Sequence, residues 1–164
     1  MKKILLTITL YLLSAHYCVA TKNLEDVLPV LQMATSKATT DKVSQMMGKP
    51  EKIEENGRRT RWYYNCGELN IIFCWNKRLG TFEQVSIVQK QPKQDIFDER
   101  LSVMLKSGKT DVKQVLELLG TPRDMTIKGS KQVMHYFYKN NTLRLFFRDN
   151  ILVDYTLIGQ SRYM

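Results

Sequence analysis

Apolar and polar residues change rhythm several times along this chain, and each change predicts an element. From Ile4 to Leu13 the apolar run is almost unbroken. Val43, Met46 and Met47 then fall at helical spacing, as do Val115, Leu118 and Leu119, which makes one apolar stripe on each of two short helices. Leu69, Ile71 and Phe73 recur at every second position, and so do Leu143, Leu145 and Phe147, the signature of strands with one buried face. Two further apolar segments, Leu24 to Met33 and Ile96 to Leu105, read as helices, the first interrupted by Pro29.

These patterns are written twice. Thr39, Val43, Met47, Gly48 and Pro50 recur, at one constant offset, as Asp111, Val115, Leu119, Gly120 and Pro122. Thr39 and Asp111 suit an N-cap, whose side-chain oxygen accepts from the first free N–H groups of a helix. Gly48 and Gly120 suit the left-handed position that closes a helix, and a proline two positions on prevents its continuation. Trp62-Tyr63-Tyr64 is answered by Tyr136-Phe137-Tyr138, and Leu69 to Phe73 by Leu143 to Phe147, which widens the offset by two positions relative to the helices. A third strand follows in each copy, Val85 to Ile87 and Tyr155 to Leu157.

The expected fold is therefore α+β: two tandem helix-helix-antiparallel-sheet modules, residues 21–92 and 93–164, with helices packed on one face of the sheet. A module of this size buries a modest fraction of its surface and is marginal alone, so the two are expected to share a core or pack side by side. No Gly/Ser-rich linker separates them.

The first twenty residues stand apart. Lys2 and Lys3 precede the apolar run, and Cys18, Val19 and Ala20 supply small residues for signal-peptidase cleavage, so residues 1–20 read as a signal peptide. The apolar run is too short to span a bilayer, which takes about 20 residues. Lipidation at Cys18 is disfavoured by His16 and the bulky Tyr17 just before it. The chain is expected to be exported, periplasmic or secreted. Its formal net charge of +9 falls to +7 once Lys2 and Lys3 are removed, which points to acidic partners or anionic surfaces.

In their order, the capping residue, the valine four positions on, the Gly-x-Pro stop, the aromatic strand and the alternating Leu-x-Ile/Leu-x-Phe strand resemble the BamE (SmpA/OmlA) domain of bacterial envelope proteins. They are also similar to the β-lactamase inhibitory protein family, which sets two such modules in tandem. The resemblance implies a helix layer on an antiparallel sheet, a place in the Gram-negative envelope, and work done by binding proteins rather than by catalysis. Two departures limit it. BamE is a single-module lipoprotein, and the inhibitory family relies on disulfides inside each module, whereas Cys66 and Cys74 both fall in the first copy here. Inhibition of a β-lactamase is not carried over.

Candidate chemistry is sparse. Cys66 and Cys74 read either as a disulfide or as two small half-buried residues, and with no other Cys or His nearby they make no zinc site. His135, the single histidine after the signal, lacks a nucleophile and reads as a hydrogen-bonded structural residue. No cofactor, small-molecule substrate or enzymatic activity is expected, and export argues against nucleic acid despite the basic and aromatic residues. The expected partner is a protein of the envelope or the extracellular space. An inhibitor of a secreted enzyme and a peripheral binder of anionic lipid are the alternatives. Alternation sends Tyr63, Ile72, Phe137, Arg144, Phe146 and Arg148 to the sheet face opposite the core, and aromatic and Arg side chains are the types that anchor interfaces. Either these six form the binding surface or they fill the seam between the copies.

Overall fold

A computed structural model describes residues 24–35, 38–92, 98–138 and 141–159. The signal and lipidation readings at residues 1–20 lie outside it. The order of elements is α1 (Leu24–Thr35), α2 (Thr40–Met47), β1 (Lys52–Asn56), β2 (Arg59–Cys66), β3 (Leu69–Asn76), β4 (Thr81–Gln89), α3 (Glu99–Ser102), α4 (Val112–Leu119), β5 (Asp124–Lys128), β6 (Lys131–Tyr138), β7 (Asn141–Arg148) and β8 (Ile151–Gly159).

The two expected tandem modules, each with its own helix pair packed on a sheet, are not what forms. All eight strands make one antiparallel sheet in sequential order, β1 through β8, accompanied among the described residues by four short helices. The join is β4 against β5, with Val85 opposite Ile127, Ser86 opposite Thr126, Ile87 opposite Met125 and Val88 opposite Asp124. Two separate sheets would each leave further rows of backbone N–H and C=O groups unpaired, and pairing β4 with β5 removes two of those edges. Helix α1 lies against these two central strands, with Leu24, Val27, Leu31 and Ala34 buried. It continues through Pro29. Among the described residues the second copy shows no matching long helix: Ile96, where one was expected to begin, lies outside them, α3 is four residues long, and Val103 and Met104 after it stand 81% and 57% exposed.

Each half contributes four strands rather than the expected three. The missed ones are β1, exposed along its whole length except for Glu54, and β5, where only Met125 and Ile127 are buried. The core is one cluster that draws on both halves, from Phe73, Phe82 and Ile87 to Ile127, Leu145 and Leu152.

The caps form as expected. Thr39 Oγ1 accepts from Lys42 N at 3.3 Å, and Asp111 accepts from Gln114 N at 2.7 Å while the Gln114 side chain accepts from Asp111 N at 2.9 Å, a reciprocal capping box. Gly48 (φ 79°, ψ −164°) and Gly120 (φ 73°, ψ −163°) close the two helices in a region that is essentially glycine's alone. A tyrosine then ties each helix end to the sheet. The Tyr64 hydroxyl donates to Gly48 O at 3.2 Å and the Tyr136 hydroxyl to Gly120 O at 2.8 Å. Tyr64 and Tyr136 are therefore equivalent, and so are β2 and β6, β3 and β7, all at the same offset as the two helices. The wider offset expected for the strands is corrected by this tie: Tyr136 answers Tyr64, not Trp62. Sliding an alternating strand by two positions leaves every side chain on its own face, so the pattern alone accepts both alignments.

Candidate functional site

Of the two faces of the sheet, one carries the core: Tyr64, Ile71, Phe73, Met134, Tyr136, Leu143 and Leu145 are all buried. On the other, strand register lines up one residue from each of the strands β2 to β7 in a row, Tyr63, Ile72, Ser86, Thr126, Val133 and Phe146. Every member of this row is half-buried. With strands about 4.8 Å apart, the row runs about 24 Å from β2 to β7.

All six sequence-selected residues share this outer face, in two groups. Tyr63 and Ile72 are a cross-strand pair on β2 and β3. On β6 and β7, Phe137 lies opposite Thr142, His135 opposite Arg144, Val133 opposite Phe146 and Lys131 opposite Arg148. The two groups are bridged by Ser86 and Thr126, which alternation had not singled out because small polar residues on a strand carry no signal of their own. The seam between the halves is β4 on β5, and none of the six residues lies in it.

Electrostatics fix several of these side chains. Tyr63 donates to Glu54 Oε2 at 2.5 Å, and Glu54 also pairs with Lys52 at 2.6 Å. The Lys52 bond and then the Tyr63 bond hold the Glu54 carboxyl below its usual range, and donating to that carboxylate raises the Tyr63 hydroxyl. The Arg123 guanidinium stacks 4.0 Å from the centre of the Phe137 ring. His135 is bonded on both ring nitrogens: Nδ1 to the Asp124 carboxylate, and Nε2 accepting from Arg144 Nε at 3.0 Å. This places the ring proton on Nδ1 and leaves the imidazole no free lone pair to act as a base. The contacts of Arg144 and Phe137 with His135 and Arg123 show that half of the second group is braced by neighbouring side chains.

The Cys66–Cys74 bond is not formed. Cys66 sits opposite Leu69 on the core face and is fully buried, whereas Cys74 sits opposite Arg61 on the outer face with a free thiol. Five positions of β2 separate those two places, about 17 Å at the strand rise, far beyond disulfide geometry. Burial, and then the neighbouring Glu83 carboxylate, pushes the Cys74 thiol up. Among the described residues no group of three His, Cys, Asp or Glu side chains is placed to hold a metal ion.

The model of a domain of unknown function, DUF4309, matches residues 18–158. The chain belongs to this family. No curated protein matches it. Among solved structures the chain is similar to a candidate β-lactamase inhibitor protein from Streptococcus mutans, at 18% identity over 84% of this chain and 98% of that one, with a TM-score of 0.45. It is also similar to a DUF4309 family protein from Bacillus subtilis, at 16% identity over 75% and 78% of the two chains, TM-score 0.28. A third likeness is to an extracellular protein containing an SCP domain from Bacillus anthracis, at 11% identity over 75% of this chain and 43% of that one, TM-score 0.30. At these identities and scores the likenesses assign no activity. The family shown is DUF4309, and the finer resemblance to the BamE domain is not carried by it.

Proposed function

We propose that this DUF4309 protein is an exported, non-catalytic binding protein that engages another protein through the outer face of its sheet. The observation that carries the reading is the row Tyr63, Ile72, Ser86, Thr126, Val133 and Phe146, with aromatic and aliphatic side chains at its two ends and small ones at its centre. A shallow surface with anchors at both ends and little bulk between them suits a partner that lies across several strands. Export rests on the pattern of residues 1–20, and an inhibitor of a secreted enzyme is the special case in which the partner is a single enzyme.

The test uses the full chain and two outer-face substitutions, Ile72→Asp and Phe146→Asp, in pull-downs from the culture medium and cell-envelope extract of the source cells. Both residues are half-buried on the face away from the core, so the thermal midpoint is expected to move little while a partner retained by the wild type is lost. Retention of that partner by both variants would refute the surface. A fall of both midpoints by about 10 °C or more would show instead that the row is a structural layer, since a shift of that size in a domain like this corresponds to a few kcal/mol. Loss of the captured partner's enzymatic activity on adding the protein would establish the inhibitor form.

A further inference from the structure

At one end of the outer face, four arginines surround one open pocket of about 660 Å³: Arg58, Arg59, Arg61 and Arg78. The turn after Gly57 carries Arg58. Arg59 and Arg61, two apart on β2, point to the same side, and Arg78 comes from the four-residue turn between β3 and β4. That turn is fixed from within. Asn76, opposite Arg59, accepts from the backbone N–H of Arg78 at 3.0 Å and of Leu79 at 3.2 Å, and its amide donates to Glu83 at 2.9 Å. Lys77 N donates to Arg58 O at 2.9 Å, so the two arginine-bearing turns are hydrogen-bonded to each other.

The nearby carboxylates are already engaged. Glu83 pairs with Arg59 at 2.6 Å, Glu55 with Lys77 at 2.5 Å, and Glu54 with Lys52 and Tyr63. Among the described residues, Arg58 and Arg78 form no ion pair with a carboxylate, whereas Arg61 sits opposite Glu54 on β1 and acts on both the Glu54 carboxyl and the Tyr63 hydroxyl; two uncompensated guanidinium groups therefore face the cavity beside the partly engaged Arg59 and Arg61. Nothing in the repeat demands this. The second half has Ser130, Lys131 and Val133 at the positions of Arg58, Arg59 and Arg61, and a two-residue turn, Asp149 and Asn150, where the first half has four residues carrying Arg78.

We infer that this pocket binds a phosphate-bearing anion with at least two negative charges. A single carboxylate would neutralise only one of the two free groups, whereas a phosphate offers several oxygens to planar donor forks arriving from different directions. The pocket contains arginine and no lysine, the choice that fits fork-like recognition rather than a diffuse positive field.

Calorimetry with inorganic phosphate, pyrophosphate and tripolyphosphate, at constant ionic strength and neutral pH, tests the site directly. Affinity should rise along that series. The double variant Arg61→Ala/Arg78→Ala should lose about tenfold or more in tripolyphosphate affinity, while Lys109→Ala, an exposed charge outside the pocket, should lose nothing. Because all of these side chains are exposed, folding is checked by an unchanged thermal midpoint. The charge-keeping pair Arg61→Lys/Arg78→Lys should fall between the two, and wild-type affinity in that pair would overturn the assignment to guanidinium forks. Flotation with phosphatidic acid vesicles, whose phosphomonoester can carry two charges, against phosphatidylcholine alone, separates the sources. Flotation abolished by the alanine pair identifies a lipid headgroup, and tripolyphosphate binding without flotation identifies a soluble phosphate compound. No binding in either arm, or equal losses in the alanine pair and in Lys109→Ala, refutes the site.

Discussion

The two halves of the sheet share their inner face and differ on their outer one. At matched positions of the repeat, the core side keeps apolar character: Tyr64 and Tyr136, Ile71 and Leu143, Phe73 and Leu145, Trp75 and Phe147. Across the same strands the outer side changes chemistry at several positions, with Tyr63 against His135, Ile72 against Arg144, Cys74 against Phe146 and Asn76 against Arg148. Helix ends follow the inner rule, each closed by a glycine and tied by a tyrosine. Packing constrains a buried residue through all its neighbours at once, while an outer residue has fewer neighbours to satisfy. The outer face is therefore where the two halves of the sheet diverge.

The strongest way to break this comparison is to remove equivalent core side chains and ask whether the halves respond as one body. Phe73→Ala and Leu145→Ala delete side chains that are completely buried in one shared cluster. The expected costs are about 3–5 and about 2–5 kcal/mol. Because β4 and β5 are paired, each substitution should lower one common thermal transition of the full chain. A transition that splits, with part of the signal left at the wild-type midpoint, would show two separately folding halves.

How far this arrangement was legible in the sequence depends on the range of the signal. The caps at Thr39 and Asp111 and the stops at Gly48 and Gly120 are local chemistry, and all four are found where the residues put them. Alternation likewise assigns Tyr63, Ile72, Phe137, Arg144, Phe146 and Arg148 to one face. Alternation cannot detect a slip of two positions, so Tyr64 was matched to Tyr138 when its equivalent is Tyr136. Nor can it see β1, whose Lys52, Glu54, Glu55 and Asn56 show no apolar period at a sheet edge. The β4–β5 join depends on two strands finding each other although α3 and α4 lie between them in the chain, which no local pattern encodes, and with it went the reading of two modules. The arginine pocket was half visible, since Arg58, Arg59 and Arg61 are neighbours in sequence, but Arg78 reaches them only through the β2–β3 register.

A smaller effect sharpens the symmetry of the helix ends. Gly48→Val and Gly120→Val force a β-branched residue into φ near +75° with an extended ψ, where Cβ is crowded by the backbone. Each should cost about 1–3 kcal/mol in denaturant unfolding. The two costs should agree closely, because the φ and ψ values agree to within a few degrees. An unchanged midpoint for either would remove that glycine from the cap.

The smallest effect concerns the bulge that both halves contain and fill differently. In the first half, Cys74 is opposite Gln84 and Trp75 opposite Phe82, which makes Glu83 the extra residue. In the second, Phe146 is opposite Asp154 and Phe147 opposite Leu152, which makes it Val153. Glu83 bonds Asn76 and Arg59, whereas the Val153 side chain is 45% exposed. Glu83→Val should then cost about 1 kcal/mol through its lost hydrogen bonds, and Val153→Glu should stay within about 0.5 kcal/mol of wild type. The first difference should also depend on pH in one direction. The Asn76 amide, and then Arg59, hold the Glu83 carboxyl below its ordinary value of 4.5, so the folded state binds the proton less readily than the unfolded state. Stability from Glu83 is therefore present above about pH 4.5 and is lost as pH falls through the depressed value. Urea unfolding of the wild type and of Glu83→Val should accordingly converge on acidification, while the wild type and Val153→Glu should show no such convergence through the bulge network. A gap between wild type and Glu83→Val that stays constant from pH 7 down to about pH 3 would mean that the carboxylate's charge contributes nothing there, and that the two bulges differ in side-chain shape alone.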